Sequence, residues 1–392
     1  MTSRPSRALV ALLLPALLAL TSCGEDAPDP DAVGSTSQTP HGFVEGASEE
    51  SEAQLGLVGV EESGAVRILD LLSGETVEVA DVGEVRHLSS DGRFVALSTD
   101  DGVAVVDSGR WTVDHGDHVH YYRAQPRLAA TLDVEGPADI SSTGTTTVVH
   151  AHGSGEVVVL DRSALGTGEE RRLGAFPTQA AAVHPIADAL VVADARGVGV
   201  VGHDGAAMGD PTSCTDPADG ITTRVGVAVT CREGAVLVTD PSEPAETIPY
   251  PNDEADTAPA RALDGRAGRP IVAAVGGDMG LWLLDTRERS WTKVETRTPL
   301  VHAIAVDDAQ EHVVAVTEAG HVVVLDPSGR ELGRTERVLD PSAATGPTVQ
   351  VDDARAYVPL PGADVVLEID YADGARVARS LDLPGDFVAE VG

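Results

Sequence analysis

Lysine is nearly absent from this chain. Lys293 is the single lysine among 392 residues, and 27 basic residues face 63 acidic ones, which gives a formal net charge of −36. Such a surface repels nucleic acid and anionic lipid headgroups, so binding to nucleic acid is not expected. It attracts cations or a basic partner, but solubility or adaptation to salt explains the acidity equally well.

Long hydrophobic runs are also absent beyond the N-terminus. Arg4 and Arg7 precede an apolar run from Ala8 to Leu20, which is too short to span a bilayer permanently. The run ends in a Leu-Thr-Ser-Cys sequence at Cys23 that resembles a bacterial lipobox. We expect residues 1–23 to be a lipoprotein signal peptide that anchors an exported protein to the outer face of the membrane through lipidated Cys23. An ordinary signal peptide cut nearby is the alternative.

The remaining chain divides into a tether and one large domain. Residues 24–53 are rich in acidic residues, Ser, Pro and Gly, which predicts a flexible acidic tether. Residues 54–392 are ample for a large core. Cys214 and Cys231 are the cysteines left in this part, and in an exported protein such a pair favours a disulfide over a metal site.

An internal repeat dominates residues 54–392. A short apolar strand ending in an acidic residue recurs at intervals of about 40 residues, and no amphipathic helix interrupts the β-rich pattern. Four short strands per repeat predict an all-β fold, a β-propeller. The eight copies are Val66–Asp70, Val103–Asp107, Val157–Asp161, Val198–Asp204, Val236–Asp240, Leu281–Asp285, Val322–Asp326 and Val365–Asp370.

Eight copies predict eight blades. Seven would remain if the repeat containing Cys214 and Cys231 were irregular. The first repeat, from Leu55 to Val82, lacks an inner strand, and the run from Asp386 to Val391 follows the last repeat. We expect this C-terminal strand to close the ring, which would leave no free sheet edge.

The longest interval between copies, 54 residues from Asp107 to Asp161, contains a cluster of potential metal ligands. Neutral imidazole beside carboxylate is the usual donor set for Zn²⁺, although a solvated polar loop is the alternative. Nine residues hold three of the twelve histidines and two aspartates: Asp114, His115, Asp117, His118 and His120.

The spacing of these residues suits a tetrahedral site. In an extended chain His118 and His120 point to the same side, and Gly116 allows the bend that brings His115 towards them. The fourth ligand would be Asp117, Asp114 or water. Alternatively, one of these carboxylates would accept the second ring N–H of a histidine and so orient that ring.

Other histidines are weaker candidates. His150 and His152 share one face of a strand in the next blade and complete the predicted metal ligands, either in the same site or in a second one. Those in inner strands are expected to be satisfied polar residues near the channel: His87, His184 and His302. Those expected at the surface are His203, His312 and His321.

Motifs for enzymatic activity are lacking. The chain has no His-Glu-x-x-His helix, no Gly-x-Ser-x-Gly elbow and no phosphate-binding glycine loop. Propeller lactonases usually bind their ion through carboxylates and amides, whereas this chain has Asn252 as its single asparagine. Imidazole favours Zn²⁺ over Ca²⁺, so we expect a zinc-binding protein that is not an enzyme.

Four stretches of the chain, given at the end of this paragraph by their residues, resemble the AztD-type zinc metallochaperones. The resemblance implies an extracytoplasmic propeller that passes Zn²⁺ to the solute-binding protein of a zinc ABC transporter. We further expect a monomer that meets the membrane through its lipid anchor alone. The stretches that carry the resemblance are Pro40–Glu49, Trp111–Tyr122, Cys214 with Thr230–Val238, and Ile248–Pro251.

The chain also departs from that family. Several inner strands in the family open with a histidine facing the channel, so part of a histidine-lined site is expected to be lost here. A lipid-anchored interaction scaffold without metal function is therefore the competing hypothesis, and a propeller hydrolase is a third. The positions that differ are Ala138 with Asp139, Gln179 with Ala180, and Asp219.

Overall fold

The protein is almost wholly built of β-strands. The computed structural model describes residues 42–115, 118–251, 258–277, 279–340, 349–360 and 362–392. Helical elements among these residues are α1 (Arg162–Gly166) and the 3-10 helix η1 (Tyr371–Asp373). None of the helices in these ranges is long and apolar enough to cross a membrane.

The strands are short and follow one another along the chain. The first seventeen are β1 Ser48–Glu50, β2 Gly56–Val60, β3 Ala65–Asp70, β4 Thr76–Asp81, β5 Val85–Ser90, β6 Phe94–Thr99, β7 Gly102–Asp107, β8 Arg110–Asp114, β9 Val119–Arg123, β10 Arg127–Leu132, β11 Ala138–Ser142, β12 Thr146–Ala151, β13 Glu156–Asp161, β14 Arg172–Pro177, β15 Ala182–Ile186, β16 Ala189–Asp194 and β17 Gly197–Val201. The others are β18 Gly220–Thr222, β19 Val227–Cys231, β20 Gly234–Val238, β21 Glu246–Pro249, β22 Ile271–Val275, β23 Gly280–Asp285, β24 Ser290–Glu295, β25 Leu300–Ala305, β26 Val313–Thr317, β27 His321–Leu325, β28 Glu331–Arg337, β29 Gln350–Val351, β30 Ala356–Leu360, β31 Val365–Asp370, β32 Arg376–Asp382 and β33 Phe387–Val391.

Apart from β1, β8 and β9, these strands form one sheet per repeat, which confirms eight blades. In chain order the blades are β33-β2-β3-β4, β5-β6-β7-β10, β11-β12-β13-β14, β15-β16-β17, β18-β19-β20-β21, β22-β23-β24, β25-β26-β27-β28 and β29-β30-β31-β32. The repeat with Cys214 and Cys231 is a regular four-stranded blade, so the reason for expecting seven does not hold. In the fourth blade the outer position is taken by a short segment bridged at Val198–Thr212 and Val201–Ala207.

In the described part of the chain, eight apolar clusters form the core of the propeller, one between each pair of neighbouring blades. Alternate side chains of a strand point to opposite faces of its sheet, so each blade contributes to two clusters. In β2, Leu57 packs towards the eighth blade and Val58 towards the second. Burial on both faces explains why the middle strands are continuous apolar runs rather than alternating patterns.

The C-terminal strand joins the last repeat to the first. β33 pairs antiparallel with β2, with Val391 opposite Gly56 and Phe387 opposite Val60. Its side chains enter the clusters on both sides of the first blade. First strands of neighbouring blades also contact one another, as strands around a propeller axis do. The predicted pairing of the C-terminal run with the first repeat is confirmed.

The recurring acidic residue has a structural role. Asp70 Oδ1 accepts hydrogen bonds from the backbone N–H groups of Leu72 at 3.0 Å and Ser73 at 2.8 Å, closing the turn that leads to β4. Asp161 caps α1 in the same way, through the N–H of Ala164. A short polar side chain that bonds to its own turn explains this residue in seven of the eight copies, whereas Asp370 contacts Arg355 and Arg376 instead.

The predicted disulfide is confirmed. Cys214 and Cys231 are bonded, and their Cα atoms are 5.2 Å apart. Both are buried in the cluster between the fourth and fifth blades.

Candidate metal centre

A small sheet outside the eight blades carries the histidine segment. The hairpin β8–β9 is inserted between β7 and β10 of the second blade, and β1 pairs with β9 on its other side. Val113 lies opposite His120 in the hairpin, and Glu49 of β1 lies opposite Tyr122. The longest interval in the sequence is therefore a separate structure whose turn holds the predicted ligands.

A buried aromatic pair supports this sheet. The rings of Trp111 and Tyr122 are stacked with their centroids 5.2 Å apart, and Tyr122 is 0 % exposed. The guanidinium of Arg93 lies 3.6 Å from the centroid of Trp111, and the indole N–H donates to the carbonyl of Gly42 at 3.0 Å. Val44 completes this cluster, so residues 42–50 are packed against the hairpin.

The hairpin brings three predicted ligands together. His115, His118 and His120 each offer a ring nitrogen, and the three nitrogens lie within 4.8 Å of one another. Ring centroids are separated by 4.8, 5.3 and 4.9 Å. The backbone N–H of His115 donates to the carbonyl of His118 at 2.9 Å, which adds a contact between the two arms of the hairpin. His115 and His118 are exposed, whereas His120 is half-buried.

Carboxylates flank this triad. Glu49 Oε1 lies 2.7 Å from His120 Nδ1, which the sequence did not predict because 71 positions separate the two residues. Asp114 Oδ2 lies 3.2 Å from Nη1 of Arg224, in the turn between β18 and β19. Gly116 and Asp117, the predicted bend and fourth ligand, lie outside the described residues.

A second group of histidines surrounds Asp139 of β11. Asp139 Oδ2 lies 2.8 Å from His152 Nε2, and Oδ1 lies 3.3 Å from His87 Nε2. The rings of His150 and His152 have centroids 4.0 Å apart, so the predicted pair is brought together. Asp139 is therefore an acceptor that holds two imidazoles.

Burial and hydrogen bonding shift the pKa values of several of these groups. Burial lowers the pKa of His150 to about 4, and that of His184, bonded to Thr222, likewise to about 4. The hydrogen bond to Asp139 raises the pKa of His152. Although burial opposes it, hydrogen bonds from His152 and His87 hold the pKa of Asp139 below its ordinary value. The group thus combines the neutral imidazoles of His150 and His184 with an ionised carboxylate.

Further polar residues continue around the same channel. Burial raises the pKa of Asp219 to about 6, and its Oδ2 accepts the backbone N–H of Leu263 at 2.8 Å. His302 Nε2 lies 3.1 Å from Asp264 Oδ2, although not in a direction that makes a hydrogen bond. Blades two to five and blade seven therefore carry a histidine or an aspartate in or directly before their first strands, and Asp264 precedes the first strand of blade six.

The two groups lie at opposite ends of the propeller. Asp139 is near the beginning of β11, and His152 directly follows β12. The hairpin sheet is contacted instead by Arg93 and Arg224, which lie in turns between the first and second strands of their blades. In an antiparallel pair these positions are at opposite edges of the sheet. His150 and His152 therefore do not join the hairpin triad.

One surface assignment is corrected. His312 is buried, and its Nδ1 lies 2.6 Å from Asp308 Oδ2. The acidic residue four positions before it is the sequence feature that could have suggested this contact.

Comparison with solved structures identifies the architecture. Apo AztD from Citrobacter koseri superposes with a TM-score of 0.73 at 20 % identity, covering 87 % of this chain and 99 % of that one. A second structure of the same protein gives 0.72 at 22 % identity, with 87 % and 98 % covered. The dihydro-heme d1 dehydrogenase NirN gives 0.52 at 17 % identity, with 87 % and 75 % covered. No protein-family model matches the sequence, and no curated protein does. This chain has the β-propeller fold of AztD.

Proposed function

We propose that this protein is an extracytoplasmic zinc metallochaperone. It is held at the membrane by lipidated Cys23, binds Zn²⁺ as cargo and delivers the ion to the solute-binding protein of a zinc ABC transporter. The observation that carries this proposal is the triad of His115, His118 and His120, whose donor nitrogens lie within 4.8 Å. The AztD fold and the sequence resemblance support it.

The triad suits an ion that must be passed on. Zn–N bonds of 2.0–2.1 Å place two ligands of a tetrahedral ion about 3.3 Å apart, so the exposed rings need only rotate slightly inwards. Three imidazoles leave the fourth position for water or for a ligand from another protein. Because His115 and His118 are exposed, a partner's ligands can enter stepwise and take the ion by ligand exchange.

The group around Asp139 is less suited to first capture. His87 and His152 both contact that carboxylate, and the neighbouring His150 is buried, so an ion reaches this group less readily than it reaches the exposed rings of the hairpin. We therefore assign loading and transfer to the hairpin triad and regard the Asp139 group as a second holding position.

Zinc titration against a competing chelator tests the proposal. The protein without its apolar segment, residues 24–392, would be compared with the double variant His118→Ala/His120→Ala. We expect stoichiometric binding at submicromolar affinity that the double variant loses, followed by transfer to the transporter's binding protein. Binding no tighter than that of buffer ligands would instead favour a lipid-anchored interaction scaffold.

A further inference from the structure

The contact between Glu49 and His120 defines the protonation of one ring. An ionised carboxylate only accepts hydrogen bonds, so His120 must donate to it from Nδ1, at 2.7 Å. In the neutral ring this leaves the lone pair on Nε2. A metal ligand whose other nitrogen donates to a carboxylate is held in one tautomer and one orientation.

Glu49 contacts His120 but is not itself one of the clustered donors. Its carboxylate is not part of the cluster of three donors formed by His115, His118 and His120. The side chain of His120 is largely shielded, whereas that of Glu49 is about half exposed. The carboxylate is therefore placed to orient His120 and not to compete with the triad for the ion.

The backbone brings Glu49 to this position from before the first blade. β1 pairs with β9 so that Glu49 lies opposite Tyr122, two residues from His120 and on the same face of the sheet. Val44 and Gly42, which pack against Trp111, hold the preceding segment in place. The triad is therefore completed by a residue outside the hairpin that carries it.

We infer that Glu49 is a positioning residue, which holds His120 in the Nδ1–H tautomer and so presents Nε2 to the cargo ion. As far as it concerns zinc, the inference rests on the proposed function. The tautomer itself is a property of the metal-free protein and can be measured independently.

The chain offers a matched control in the neighbouring residue. Glu50 carries the same charge, but its side chain points to the other face of β1 and accepts a hydrogen bond from Ser48 Oγ at 2.6 Å. Glu50→Ala thus removes one negative charge from the same strand without touching His120. Glu49→Gln keeps an acceptor oxygen, and Glu49→Ala removes it.

The test combines nitrogen-15 NMR of the histidine rings with zinc titration, both in the full-length protein. We expect Nδ1–H alone for His120 in the unaltered protein, a mixture of tautomers in Glu49→Ala, and restoration in Glu49→Gln. Zinc affinity should fall at least about tenfold in Glu49→Ala and stay unchanged in Glu50→Ala.

Each result separates this inference from the proposed function. An unchanged His120 tautomer in Glu49→Ala overturns the inference even if zinc binds to the triad. An equal loss of affinity in Glu50→Ala also overturns it, because the effect would then be one of net charge. A tautomer change without zinc binding by the unaltered protein supports the positioning role and contradicts only the metallochaperone proposal.

Discussion

At the scale of single residues, the protein uses histidine in two different surroundings. His115 and His118 are exposed in the hairpin, where a partner can reach them. His150 is 3 % exposed, and burial lowers its pKa to about 4. The exposed rings are suited to exchange of an ion, whereas the buried one contributes to stability in its neutral form.

Removing either central ring of the triad should weaken zinc binding. We expect His118→Ala and His120→Ala each to lower the affinity more than tenfold without changing the thermal midpoint, because two imidazoles cannot replace three around zinc. A chelator-competition titration measures this. His321→Ala, which removes a histidine bonded to the backbone of Thr335, serves as the control. Unchanged affinity in both triad variants would contradict the assignment of this site.

Acid should destabilise the protein through His150. Its folded pKa of about 4 lies below the value of about 6.5 in an unfolded chain, so between these values the unfolded state binds the extra proton. The neutral His150 contributes on the order of a few kcal/mol to the free energy of unfolding. This contribution is complete above pH about 6.5 and is lost as the pH falls towards 4.

The variant His150→Gln isolates this contribution. It lacks the titrating ring, so its unfolding free energy should fall less steeply than that of the unaltered protein between pH 6.5 and 4. Urea unfolding at several pH values, in the presence of a chelator, gives the two slopes. Parallel curves would show that His150 is protonated equally in both states.

At the scale of elements, the small sheet of β1, β9 and β8 is the clearest addition to the propeller. Its strands come from before the first blade and from the middle of the second. Among the described residues, its apolar anchor is the cluster of Val44, Trp111 and Tyr122. Metal binding at its turn would therefore leave the blade cores undisturbed.

The disulfide should stabilise the fifth blade. It links the segment before β18 to the end of β19 across 17 positions, and both sulfurs are buried. We expect the double variant Cys214→Ser/Cys231→Ser to have a free energy of unfolding about 3 kcal/mol lower, mainly because the unfolded chain gains conformational freedom. Urea unfolding checks this, with the reduced unaltered protein as the matched comparison. A loss below about 0.5 kcal/mol would show that the cross-link adds little to this blade.

At the scale of the whole molecule, stability depends on a ring of similar interfaces. Each blade packs on two neighbours, so no blade has a core of its own. The first blade is assembled from both ends of the domain, through the pairing of β33 with β2. Loss of that pairing would expose one apolar sheet edge and weaken two interfaces at once.

Ending the chain at Gly385 should therefore open the propeller. This change removes Val388, Ala389 and Val391 from their clusters. The loss of their buried apolar surface should lower the free energy of unfolding by more than about 3 kcal/mol. We expect a lower melting temperature and association through β2, measured by calorimetry and size-exclusion chromatography. Ending the chain at Val391 instead, which deletes only Gly392, is the control. A monomer with an unchanged melting temperature would contradict the closing role of β33.

Much of the fold could be predicted from the sequence. The strand with a terminal Asp recurs because every blade needs the same buried strand and, in all copies but the last, an Asp that bonds to its own turn. The repeat therefore reports the blade count directly. The cysteine pair and the C-terminal run were likewise recognisable from local composition. Within the site, His118 and His120 could be placed together because strand alternation is a local rule.

By itself, then, the sequence determined the propeller, its eight blades, its disulfide and the nature of the hairpin donors. Only the tertiary structure decided which distant carboxylates hold which rings: Glu49 behind His120, and Asp139 between His87 and His152. It also decided that the two histidine groups lie at opposite ends of the axis. The physical reason is that periodicity encodes local conformation, whereas contacts across 52 or 71 positions depend on strand register and blade order.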